Sequence, residues 1–144
     1  MGPKEGQGPL HRYFDEISQD NYFGQDSWEK AERAMMERTM QRVLQKANLK
    51  PEQLDFMLAG DLLNQTITAN YTARQMGIAF LGLYGGCSTM YEGMSIAAML
   101  VDGGFANYVL AGTSSHYSTA ERQFRFPTEQ GVQRSVTAQW TVTG

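Results

Sequence analysis

A chain of 144 residues has room for one domain, and with 42% hydrophobic against 19% charged residues it is neither disordered nor fibrous. Twelve Lys and Arg against 15 Asp and Glu leave a net charge of −3, which excludes a nucleic-acid binder that works by bulk charge. The single cysteine, Cys87, excludes an internal disulfide, and no Cys/His spacing suits zinc, so a reducing compartment with no metal and no cofactor is expected.

The first 25 residues are rich in Gly and Pro, carry no sustained period and read as loop. They contain no apolar signal core, and Gly6 stands where a myristoylation motif has Ser or Thr. No later stretch is apolar enough to span a bilayer, so membrane contact is expected to be peripheral or through a partner. Asp26 is placed to cap a helix, with Glu29 completing a capping box. Trp28, Ala31, Met35, Met36, Met40, Val43, Leu44 and Ala47 then recur at spacings of three and four, which predicts an amphipathic helix ending near Asn48. Its Glu, Lys and Arg run reads as a solvated face and its Met residues as core filler.

Lys50 and Pro51 break that pattern, and residues 54–59 form a short apolar run suited to a buried strand. A helix is predicted over 69–76 and a second strand over 78–84, closed by Gly85 and Gly86. Residues 88–101 predict another helix, with Met90, Met94, Ala97, Ala98 and Leu100 inward and Gly103 and Gly104 ending it. Between Gln75 and Val101 the only charge is Glu92, which suits elements covered on both faces. A third strand is predicted over 108–111, and 137–143 reads as the start of a further strand. Strands alternating with helices over short turns predict an α/β fold with right-handed crossovers and a mostly parallel sheet.

Three segments carry candidate chemistry. In Leu81-Gly82-Leu83-Tyr84-Gly85-Gly86-Cys87-Ser88-Thr89-Met90 a strand enters a two-glycine turn and Cys87 meets the start of a helix. Backbone N–H groups and the positive dipole end there lower a thiol pKa and can hold an anion. An inert, buried cysteine fits the same pattern. The segment from Gly112 through Ser114, Ser115 and His116 to Arg122 and Arg125 follows the carboxyl end of a strand, where open α/β sheets place ligands. His116 has the chemistry of a base beside Cys87, and equally that of a structural or solvated loop histidine. In Ala59-Gly60-Asp61-Leu62-Leu63-Asn64-Gln65, Asp61 or Asn64 reads first as a cap for the next helix.

These segments, with Gly2-Pro3-Lys4-Glu5-Gly6 and Val101-Asp102-Gly103-Gly104-Phe105-Ala106, make the chain resemble the sporulation proteins of the thiolase-like superfamily. The resemblance runs from Gly2 to Gly144 and implies a layered α-β-α-β-α fold of two similar halves, of which this chain corresponds to the first. It implies that family members continue upstream of Met1 and beyond Gly144. In thiolases and ketoacyl synthases a cysteine at the position of Cys87 accepts the acyl group, with histidine or asparagine partners from the second half; without them no catalytic residue is expected here. What the resemblance implies instead is binding of dipicolinic acid, as the free acid or its calcium chelate, and its movement into the forespore with membrane proteins of the same operon. The ligand groups it implies are Cys87, Ser88, Ser114, Ser115, His116, Arg122, Arg125 and Asp61, an ion pair of an arginine with Glu121 being the structural alternative. Peripheral association with the spore inner membrane, self-association of the half, and no nucleic-acid partner complete these expectations. An acyltransferase using Cys87 and a fragment without autonomous function are the alternatives.

Overall fold

The computed structural model describes residues 1–121. Three helices and a three-stranded sheet follow one another as α1 (Trp28–Ala47), β1 (Phe56–Gly60), α2 (Ile67–Met76), β2 (Phe80–Gly82), α3 (Thr89–Asp102) and β3 (Val109–Thr113). Both pairings are parallel and the order is β2-β1-β3, so β1 is central. The chain moves outward from β1 to β2 and then back across β1 to β3. Crossovers of one hand then place α2 and α3 on opposite faces of the sheet. The layered α/β class expected from the sequence is therefore the observed one. The strand start anticipated over 137–143 lies outside the described residues.

The cap of α1 differs from expectation by one residue. Ser27 has the extended backbone of a cap and its Oγ accepts the Lys30 N–H at 3.3 Å. Asp26 instead reaches Lys30 Nζ at 2.8 Å, an exposed pair of small energetic consequence. At the other end Asn48 takes the left-handed conformation, and the Leu49 N–H returns to the Leu44 carbonyl at 2.9 Å. Asn tolerates that conformation better than most side chains, which is why the helix stops there without glycine.

Alternation along β1 distributes the core. Met57 and Ala59 face α1 and α2, where they join Met36, Met40, Ala69, Ala73, Ile78 and Leu110 in one buried cluster. Gly112, opposite Ala59 in the ladder, leaves room for Met40: a Cβ there would strike the methionine's terminal methyl. On the other face α3 approaches through a glycine. A Cβ on Gly93 would sit 3.3 Å from the Leu83 side chain and 3.5 Å from the Ala111 Cβ, so the helix lies close enough to the sheet that even one added methyl fills the gap and presses on Leu83.

The inward face expected for α3 is corrected by this contact. Thr89 and Gly93 are its buried residues, while Met90, Met94 and Ala98 are exposed and Ala97 and Leu100 half-buried. The spacing is helical as expected, but the smallest residues, not the largest, define the seam. Likewise the charge-poor stretch before Val101 is not covered on both faces by described residues; Tyr91 and Met99 stand 74% and 69% exposed.

Candidate functional site

The carboxyl ends of β1 and β2 feed α2 and α3 on opposite faces, and it is at such a reversal that open α/β sheets form a crevice. All three segments singled out in the sequence emerge on this edge. They are tied to one another through the backbone: the Leu83 N–H donates to Ala59 O at 3.0 Å and the Ser114 N–H to Gly60 O at 3.3 Å. Gly60 is held tightly between them, since a Cβ on it would collide with the Leu83 carbonyl and lie 2.8 Å from Thr89.

The turn into α3 is closed by its own polar side chains. Thr89 Oγ1 accepts the Gly85 N–H at 3.0 Å and donates to Gly86 O at 2.9 Å, and Ser88 Oγ donates to Gly85 O at 2.8 Å. Gly86 has φ +58°, a conformation open to glycine at little cost. Cys87 follows it in a single 3-10 turn, Gly86–Ser88, directly before α3, and is exposed. The expected placement at the helix start is observed, and Cys87 is not buried among the described residues.

Asp61 performs the capping role weighed for it. Its carboxylate accepts the Leu63 N–H at 2.9 Å and the Ala69 N–H at 2.7 Å, the second within the first turn of α2. The group is 4% exposed, and burial pushes its pKa up while the backbone donors of Ala69, Leu63 and Thr68 pull against that. Between Asp61 and α2, Gln65 and Thr66 both have positive φ. Asn70 Nδ2 supports that unusual backbone by donating to Thr66 O at 2.9 Å and to Gln65 O at 3.1 Å. Left-handed conformations at two non-glycine residues have no local signal, so neither this loop nor the role of Asn70 is legible in sequence.

After β3, His116 is fixed by the backbone at both ring nitrogens. Ser118 N–H donates to Nδ1 at 3.1 Å, which leaves Nε2 to donate to the Asn21 carbonyl at 2.8 Å. Neither contact is with Cys87, and this geometry is that of the structural histidine alternative. Ser114 Oγ turns inward to Glu32 Oε1 at 3.0 Å, and Ser115 is half-buried beside it. Arg122 and Arg125 lie outside the described residues. Glu32 was not anticipated: it belongs to the run read as a solvated face, yet it is fully buried on α1. Its position four residues before Met36 and eight before Met40 was the available signal.

A family model described as stage V sporulation protein AD matches residues 1–144. The chain belongs to the stage V sporulation protein AD family. The stage V sporulation protein AD of Bacillus subtilis (strain 168) is 54% identical over 143 residues, which are 99% of this chain and 42% of that protein. The chain thus spans about two fifths of the length of this curated relative. Among solved structures, the 3-oxoacyl-[acyl-carrier-protein] synthase III of Aquifex aeolicus VF5 is similar over 55% of this chain and 28% of its own, at 27% identity and a TM-score of 0.50. Over the matched part this chain therefore has the thiolase-like fold of this synthase. No helix of the described residues is long and apolar enough to cross a membrane.

Proposed function

We propose that this chain forms one wall of a non-enzymatic dipicolinate site in a sporulation transport apparatus. Membership of a sporulation family supports the setting, and one observation supports the site: the Gly85–Thr89 turn presents Cys87 and the start of α3 at the carboxyl edge of the sheet, beside the Ser114–His116 loop. Dipicolinate is a flat ring with two carboxylates. Backbone N–H groups and the dipole of α3 suit one of them. Arg122 or Arg125, which follow the loop in sequence, supply charge for the other, and Ser88 and Ser115 have hydroxyls for further bonds. Asp61 contributes by holding α2 and the edge of the site in place. The membrane proteins of the same operon are the proposed partners, at the spore inner membrane, with the calcium chelate a second form of the ligand.

The commitment of both His116 nitrogens to backbone groups favours binding over catalysis. Calorimetric titration of dipicolinate into a full-length family member tests the reading. Trp at the position of Cys87 is expected to weaken binding by obstruction, and Ala at whichever of the two arginines holds the second carboxylate to weaken it by about 10- to 100-fold, the worth of a charge-assisted contact. Unchanged affinity in all three variants rejects the site. The likeness to a 3-oxoacyl-[acyl-carrier-protein] synthase favours one second reading, acyl transfer through Cys87. Its thiolate would displace the thiol of an acyl thioester and carry the acyl group. Intact-mass measurement after incubation with acyl thioesters decides this, since a mass gain lost in Cys87→Ser would establish it.

A further inference from the structure

Glu32 is the feature of the fold that neither helix formation nor core packing requires. Its side chain is 0% exposed on the face of α1 that otherwise carries Ala31, Met36, Met40 and Leu44. A methionine of similar volume would continue that face without the cost of taking a carboxylate out of water. What the carboxylate does instead is reach across the chain. Ser114 Oγ donates to Oε1 at 3.0 Å, and Thr119 Oγ1 donates to Oε2 at 2.6 Å while lying 2.8 Å from the His116 carbonyl. The two hydroxyls come from sequence positions 82 and 87 residues away and bracket the loop that carries Ser115 and His116. From the other direction His116 is tied to Asn21, so the loop is held between α1 and the N-terminal segment.

We infer that Glu32 is a positioning residue for the ligand site: it contacts no ligand, but its buried carboxylate sets the conformation of the Ser114–Thr119 loop over the carboxyl end of β3. This rests on the reading of that edge as a dipicolinate site. Two hydrogen bonds to the two oxygens of one buried planar group, one from each end of the loop, fix both the height and the tilt of the loop. A loop so held is preorganised, and ligand binding then need not order it.

Three substitutions separate positioning from bulk stability: Glu32→Met removes both acceptor oxygens at similar volume, Glu32→Gln keeps one, and Thr119→Val removes one donor. Amide hydrogen exchange on this chain should speed up by about tenfold or more at Ser118 and Thr119 in Glu32→Met, with β1 amides unchanged, and should return most of the way in Glu32→Gln. The nitrogen shifts of the His116 ring should change in the same order. Adding Thr119→Val to Glu32→Met should have little further effect, because both break the same contact. In a full-length family member the equivalent of Glu32→Met should weaken dipicolinate binding by about tenfold or more, with recovery in the Gln variant. Equal exchange across all elements, or wild-type loop exchange and affinity in Glu32→Met, overturns the inference. If Glu32→Met does not fold, Glu32→Gln and Thr119→Val still decide it through Ser118, Thr119 and the His116 signature. Absence of dipicolinate binding by the wild-type protein overturns the ligand reading alone, and the exchange pattern still upholds or overturns the role of Glu32.

Discussion

The two faces of the sheet are finished differently. Under α1 and α2, Met36, Met40, Met57 and Leu110 are buried to 5% exposure or less, and beyond them α1 turns charged side chains such as Arg38, Arg42 and Lys46 to solvent. Over the other face α3 touches the sheet through Thr89 and Gly93 and turns Met90, Tyr91, Met94 and Met99 outward, with Phe105 at 77% exposure just beyond its end. α1 is amphipathic because one of its sides is core and the other is water. α3 carries apolar side chains on both sides, and the outer ones are left uncovered by the described residues. The difference shows that poverty in charge along the middle of the chain does not report how deeply it is buried within these residues.

The largest expected effect tests that contrast with one residue type. Met40→Ala should cost about 2–5 kcal/mol in denaturant unfolding, because the cavity it leaves sits between α1, β1 and Gly112. Met94→Ala should change monomer stability by about 0.5 kcal/mol or less, yet weaken self-association in sedimentation. A Met94→Ala cost equal to that of Met40→Ala would mean that α3 is core on both sides, and a compact monomer at all concentrations would remove the association.

A smaller effect lies within the well-packed side. Thr68 and Thr72 on α2 are 1% and 0% exposed, and their hydroxyls have no hydrogen-bond partner among the described residues. Valine has nearly the same shape without that unmet polar group, so Thr72→Val should stabilise by about 1 kcal/mol. Destabilisation by that amount would show that the hydroxyl has a partner in solution.

The smallest effect contrasts the two ends of β1. Asp55, exposed at its start, accepts the backbone N–H groups of Asn107 at 2.6 Å and Tyr108 at 3.1 Å, and these donors hold its pKa below the usual carboxylate range. Asp61, buried past its end, is pushed the other way by desolvation. For Asp55 the stabilisation is present above the unfolded pKa and is lost as pH falls through the lower folded value. For Asp61 the folded state binds the proton more tightly, so stability falls as pH rises from the unfolded pKa through the higher folded one. Carbon-detected titration should give Asp61 the higher midpoint, and Asp55→Asn should lose its stability deficit in acid. Asp61 titrating at or below Asp55 would contradict both assignments.

How far the site could be read from sequence follows from the range of each interaction. The turn around Cys87 was legible because Gly85, Gly86 and the helix after them are contiguous, and glycine takes the positive φ that such a turn uses at little cost. The cap of Asp61 was legible for the same reason, the N–H groups that donate to it lying 2 and 8 residues away. The orientation of His116 was not, because it is set by Asn21, 95 residues earlier, and nothing local distinguishes a base from a structural histidine.

The sequence by itself determined the order of helices and strands, their approximate ends and the membership of the α/β class, since periodicity, caps and glycines act over single turns. It also determined that the middle of the chain is poor in charge. Only the tertiary structure decided which face of α3 is the seam and which groups meet Glu32. The seam of α3 is set by how closely Gly93 lets it approach β1 and β3, and Glu32 meets hydroxyls that lie 82 and 87 residues further along the chain. Both depend on contacts between residues distant in the chain, and a pattern of spacings along one helix carries no information about what will meet it.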